Sequence, residues 1–221
     1  MNTSIEQFDT IDEEHIGSAI DTRLRADAFN IEDDRKIELI QKYFRKIMLV
    51  LGLDMNDDSL RGTPQRVAKM YVKEVFCGLD PANKPGIKLF ENKYRYNEML
   101  VEKNITLFSY CEHHFVPIIG KVHVAYISNG QVIGLSKINR LVQYYAKRPQ
   151  VQERLTNQIA AGLKEALQSE DVAVIIDASH LCVASRGIND TNSTTITASY
   201  SGKFLDEKKK AEFFSLIGLD K

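Results

Sequence analysis

Lys121-Val-His-Val-Ala-Tyr-Ile-Ser-Asn-Gly-Gln-Val-Ile-Gly-Leu135 is the stretch that decides the fold class. Val122, Val124 and Tyr126 alternate with His123 and Ala125, the two-residue period of a strand over Lys121 to Ile127. Asn129-Gly130 is a strong hairpin signal, because a two-residue turn of this kind needs left-handed backbone. It leads into a second extended run, Gln131 to Leu135, and so implies antiparallel pairing. Before this stretch, Met99 to Phe108 reads as another strand. After it, Ser136 is placed to cap a helix carrying Ile138, Leu141, Val142 and Tyr145 on one side. Pro149 interrupts, and a longer helix runs from about Gln150 to Leu167 with Leu155, Ile159, Leu163 and Ala166 in register.

Further out, Val172 to Ile176 reads as a buried strand, Leu181 to Ser185 as another, and Thr194 to Tyr200 as a third. The tail from Asp206 ends in a short helix around Phe213, Phe214 and Leu216. Upstream, Ile37, Ile40, Phe44, Ile47 and Leu51 recur at helical steps between Asp33 and Gly52. Thr63 is placed to cap a helix starting at Pro64, running to about Phe76 and ending near Gly78. Helices, then strands, then helices, then strands around an antiparallel turn make an α+β layer fold rather than a doubly wound parallel sheet. The expected division is a polar arm or short helix over 1–32, a helical region over 33–98, and a sheet-bearing domain over 99–221.

A hydrophobic content of 43% supports a sizeable core, and a net charge of -1 argues against nucleic acid or anionic membrane as a partner. No apolar run approaches the ~20 residues of a membrane span, and the first residues lack the pattern of a signal peptide. Three cysteines in such a chain read as metal ligands or free thiols. The expectation is a cytoplasmic protein, with any anionic ligand held by a local basic pocket.

The chemistry concentrates in Ser109-Tyr-Cys-Glu-His-His-Phe-Val-Pro117 and His180-Leu-Cys182. Cys111 and His114 are three apart, so one turn aims both at a point. His180 and Cys182 are two apart in a β-rich run, which puts both on one strand face. Cys111, His114 and Cys182 then form a three-ligand zinc site with one position open, the pattern of catalytic rather than structural zinc. A Cys/His set also admits iron. Adding Cys77 would close the site into a structural one. His113 and His180 are left as imidazoles able to exchange protons near neutrality; His123 reads as structural. Glu112 lacks the spacing of a zinc-protease helix.

Lys137 and Arg140 share a face of the helix that begins at Ser136, and helix N-termini attract phosphate. Arg186 follows His180 and Cys182 at even spacing. Arg66 and Lys69 make a second basic pair. Several local cations in a near-neutral chain suit a polyphosphate substrate.

Cys111-Glu-His-His114, Gly134-Leu-Ser-Lys-Ile-Asn-Arg140, Arg148-Pro-Gln-Val-Gln-Glu-Arg-Leu155, His180-Leu-Cys182 and Arg186-Gly187 follow Thr63-Pro-Gln-Arg-Val-Ala-Lys-Met70 in order. With these linked motifs the chain resembles GTP cyclohydrolase I over roughly residues 35 to 218. The resemblance implies a tunnelling (T-fold) architecture, an antiparallel sheet backed by antiparallel helices with an N-terminal helical extension. It also implies a homodecamer with sites shared between subunits. It implies zinc on Cys111, His114 and Cys182, and acid/base work for His113 and His180. Glu153, with Gln152, would hold the guanine edge. Lys137, Arg140, Arg186, Ser136, Lys69 and Arg66 would hold the triphosphate. The implied reaction converts GTP and water to 7,8-dihydroneopterin triphosphate and formate. The rivals are a zinc or nucleotide-binding module without turnover, and a T-fold relative acting on another pterin or deazapurine.

Overall fold

The computed structural model describes residues 19–218, so most of the expected N-terminal arm, 1–18, and the last three residues lie outside it. Helix α1 spans Asp33–Val50 with Asp33 and Asp34 in its first turn, where carboxylates meet the positive end of the helix dipole. It stops at Gly52, whose φ of +82° suits glycine. Helix α2, Thr63–Lys69, is capped by Gly62 rather than Thr63. The Thr63 hydroxyl instead accepts a bond from Arg66 Nη2. The helical path continues not as α-helix to Phe76 but as a π-helical segment, Met70–Val75.

Strands β1 (Leu89–Glu91), β2 (Met99–Cys111), β3 (Pro117–Ile127), β4 (Gln131–Ile133) and β5 (Pro149–Gln150) follow. Helix α3 (Leu135–Ala146) lies between β4 and β5. Then come α4 (Gln152–Leu167), β6 (Val172–His180), α5 (Leu181–Ala184), β7 (Thr195–Tyr200) and α6 (Glu207–Ile217). The main sheet has the order β5-β2-β3-β6-β7. It is antiparallel except where β5 runs parallel to the end of β2, pairing Tyr110 with Pro149 and Cys111 with Gln150.

The alternation along β3 sorts the core. Val122, Val124 and Tyr126, with Leu107, Val174 and Ile176, pack against Ile138, Leu141, Leu155, Ile159 and Leu163 of α3 and α4. On the other face Ala125, Ile127, Ala173 and Ile175 meet Phe204, Phe213 and Ile217. Covered on both sides, β6 loses its alternation and reads as a continuous apolar run.

Three further expectations fail in detail. The Asn129-Gly130 turn does form, with Gly130 at φ +105°, but it does not make a hairpin. Its downstream strand, β4, leaves β3 and pairs with β1, Leu89 opposite Ile133. The antiparallel hairpin is β2–β3, ten pairs from Met99↔Ile127 to Tyr110↔Pro117, and its loop is the Cys-Glu-His-His motif itself. Ser136 does not cap α3, which starts at Leu135 after Gly134. Leu181 to Ser185 is not a strand: the chain turns into the four-residue α5 immediately after His180.

The helical region is hooked to the sheet domain at Gly78. Its N–H donates to Lys147 O at 2.9 Å, and its carbonyl accepts from Arg148 Nε at 2.7 Å. A Cβ there would lie 2.0 Å from Tyr144 O, so the contact requires glycine.

Candidate functional site

The β2–β3 hairpin loop, residues 112–116, delivers the first half of the site. Cys111 ends β2, buried at 5% exposure. Phe115 N–H donates to Cys111 O, and Phe115 itself takes a left-handed φ of +53°. Its ring packs on Phe76 and Tyr71 at centroid distances of 5.1 and 6.4 Å, so the π-helical segment buttresses the loop. The second half arrives on β6, where His180 pairs with Ile118 one residue inside the same hairpin end.

The break after His180 changes how Cys182 reaches the site. It sits in α5, not two along a strand, and the turn still brings its thiol to Cys111 and His114. Ligand atoms of Cys111, His114 and Cys182 all lie within 4.8 Å of one another. Two thiolates and an imidazole are a donor set that suits a borderline-soft divalent metal such as zinc. Burial, then the nearby Cys111, pushes the Cys182 thiol above its ordinary range. Cys77 does not belong to the cluster: its thiol donates to Glu74 O and it lines an apolar cavity beside α1.

His113 Nδ1 lies 3.7 Å from Cys111 Sγ, and its Nε2 is 3.9 Å from Glu112 Oε1. His180 is held differently. The Gln152 amide nitrogen reaches Ile176 O, Thr195 O and Thr197 Oγ1 at 3.2, 2.8 and 3.1 Å. These acceptors fix which end of the amide is nitrogen. Gln152 Oε1 must therefore accept from His180 Nε2, 2.7 Å away. Nε2 carries the proton and Nδ1 keeps a lone pair. Burial pushes His180 below the usual histidine range, against the pull of Glu153, so it rests neutral. Gln152 is 1% exposed with its amide fully engaged, so it is occupied in holding His180. Glu153, next along α4, is exposed.

Arg186 lies beyond α5 rather than on a strand face, yet its Nη1 donates to His114 Nε2 at 2.9 Å. The other expected cations are scattered. Arg66 is spent on Ser59 O and Thr63 Oγ1 at 2.9 and 2.8 Å, and Lys69 is exposed. Ser136 and Lys137 lie in the first turn of α3, Ser136 exposed and Lys137 half-buried. Arg140 lines a separate cavity with Gly78, Pro85, Gln143 and Tyr144.

Sequence reasoning passed over Arg154, the buried partner of Glu112, and Phe115. A signal for Arg154 was present: an arginine in the first turn of an amphipathic helix, four residues before Gln158 and so on its face.

The model of the family described as GTP cyclohydrolase I matches residues 40–218. A GTP cyclohydrolase 1 from Flavobacterium johnsoniae is 59% identical over 213 residues, 96% of each chain. One from Erwinia tasmaniensis is 48% identical over 214 residues, 97% of each. Among solved structures, the apo archaeosine synthase QueF-Like aligns at 19% identity and a TM-score of 0.40, covering 47% of this chain and 93% of that one, too distant to bear on the chemistry. With the family match spanning the hairpin loop, α4 and α5 alike, the chain belongs to the GTP cyclohydrolase I family.

Proposed function

We propose that this protein hydrolyses GTP to 7,8-dihydroneopterin triphosphate and formate, with zinc on Cys111, His114 and Cys182. The observation that carries the reading is the cluster of Cys111, His114 and Cys182, with His113 Nδ1 3.7 Å from Cys111 Sγ and His180 two residues before Cys182. A zinc ion bound there supplies Lewis-acid activation of water near neutral pH. His180, neutral with Nδ1 open, and His113 at the mouth of the loop exchange protons with the substrate. One protonates N7 of the purine as water adds at C8; the five-membered ring then opens and formate departs. The same pair moves protons as the ribose opens, rearranges and closes onto the former N7 amine. The balance is a net consumption of one water.

Recognition follows from charge and shape. Glu153, exposed at the start of α4, accepts two hydrogen bonds from the guanine N1 and N2 edge, a pattern adenine does not offer. Gln152 serves that edge indirectly, by holding His180 beside it. Arg186 and Lys69, with Lys137, Arg140, Ser136 and Arg66, hold the triphosphate. The separation of Arg140 from the metal cluster supports a site completed by a neighbouring subunit. So do the sheet edges: among the described residues β7 pairs only with β6, and β2 before Tyr110 pairs only with β3. Such open edges suit a ring in which sheets join side by side. We therefore read the assembly as a T-fold homodecamer in the cytoplasm.

The test is formate release and the rise of pterin fluorescence with GTP and with ATP in parallel. GTP turnover with ATP inert is the expected result. Comparable turnover of both removes Glu153 from recognition, and binding of zinc and GTP without formate would establish a non-catalytic module.

A further inference from the structure

Arg154 is a buried charge that the proposed chemistry does not use. Only 5% of its side chain is exposed. A guanidinium stays protonated at any physiological pH, so its position has to be answered by acceptors. Nη2 donates to Glu112 Oε2 and, at 3.0 Å, to Pro149 O. Nε donates to Gln150 Oε1 at 2.9 Å. Gln150 is itself fully buried, its amide nitrogen bonded to Tyr145 O and Gln158 Oε1 at 2.9 and 2.8 Å.

These contacts join two parts of the site. Glu112 lies between Cys111 and His113 in the hairpin loop, and its N–H donates to Gln150 O at 3.0 Å. Arg154 follows Gln152 and Glu153 in the first turn of α4. One planar fork thus grips the loop that carries the metal ligands and the strand that launches the base-holding helix. The grip is directional, because a guanidinium offers several donors in one plane whereas an ammonium is a point charge.

We infer that Arg154 and Glu112 are a positioning pair that fixes the metal-binding loop against the start of α4, and so aligns guanine with the reacting centre. The inference rests on the reaction proposed above. Neither residue touches substrate; the pair acts through His113 and Glu153. Misalignment then lowers the rate of chemistry more than the hold on GTP, which the triphosphate contacts dominate.

The test compares the wild type with Arg154→Lys, Glu112→Gln and the double variant. It measures kcat and KM for formate release, zinc per chain, and GTP affinity by calorimetry. Both single variants are expected to keep zinc and GTP affinity near wild type. Their kcat is expected to fall at least about tenfold, toward the ~10²-fold cost of a 1 Å misplacement. The double variant is expected to be no worse than the worse single, as for residues acting as a unit. Unchanged kcat, independent losses that add in the double, or zinc lost in step with activity would each overturn the pairing. Should Arg154→Lys not fold, Glu112→Gln, which keeps size and an acceptor, decides by its kcat alone. A wild type that releases no formate defeats the functional reading and this inference together, whereas active wild type with equally active variants defeats only the inference.

Discussion

At the scale of single residues, the orientation of His180 depends on a glutamine whose own amide is fixed by the sheet. Replacing Gln152 with Met keeps its bulk and leaves His180 Nε2–H without its acceptor. The ring is then free to change tautomer, and general acid–base catalysis contributes roughly 10²–10⁴-fold. We expect kcat to fall by about 10²-fold with zinc content unchanged; steady-state kinetics beside metal analysis checks this. His123 makes a different prediction. It is 5% exposed in mid-sheet, with its Nδ1 and Asp177 Oδ1 both buried and without a hydrogen-bond partner among the described residues. Burial holds its pKa below the ordinary range, with Lys121 and Lys103 adding to the shift and Asp177 opposing it. In the unfolded chain it protonates near its ordinary value of about 6.5. Below that pH the unfolded state binds the extra proton, so this contribution to stability falls as pH falls, with a slope of at most about 1.4 kcal/mol per pH unit. Denaturant melts between pH 7 and 5 should show a smaller loss in His123→Gln than in wild type. Equal slopes would contradict the assignment.

At the scale of elements, periodicity made α4, β6 and α6 legible because each buries an apolar face or run, and α1 follows the same period although, of its residues, Met48 is buried and Ile47 and the following Leu51 are exposed. What it did not reveal was pairing. Asn129-Gly130 has hairpin chemistry, but whether adjacent strands pair is settled by competition, and β1 takes β4 from β3. The true hairpin was hidden because Ser109-Tyr-Cys and Pro117 lack plain alternation, although they continue β2 and β3 into the site. Cys182 joins Cys111 and His114 by a local geometry other than the expected strand face: the chain turns into α5 directly after His180, and that turn carries the thiol to the cluster. The π-helical segment left no mark in the sequence read alone; in the fold, Phe76 at its end packs on Phe115 and Tyr110, contacts between residues far apart in the chain. The hook between helical region and sheet gives a test at this scale. In Gly78→Ala the new methyl meets Tyr144 O and Lys147 O, and overpacking of this kind costs about 1–3 kcal/mol. Thermal or urea melts should show that loss; a variant as stable as wild type would mean that the junction yields freely.

At the scale of the whole molecule, one chain brings Cys111, His114 and Cys182 together at one end of the sheet, with His113 and His180 on the adjoining loop and strand end and Glu153 at the start of α4, while Arg140 lines a cavity elsewhere. If sites are completed between subunits, mixing Cys182→Ser chains with Arg140→Ala chains before reassembly should restore activity that neither has alone. No recovery would place all functional groups within one chain. The central claim is that the ligand set and the proton-carrying pair are separable parts of one catalytic centre. Its most direct test is zinc per chain and formate released from GTP, measured together for wild type, Cys182→Ser and His113→Ser. The account predicts zinc and turnover in wild type, loss of both in Cys182→Ser, and zinc without turnover in His113→Ser. Full turnover by Cys182→Ser without metal, or loss of zinc from His113→Ser, would contradict it.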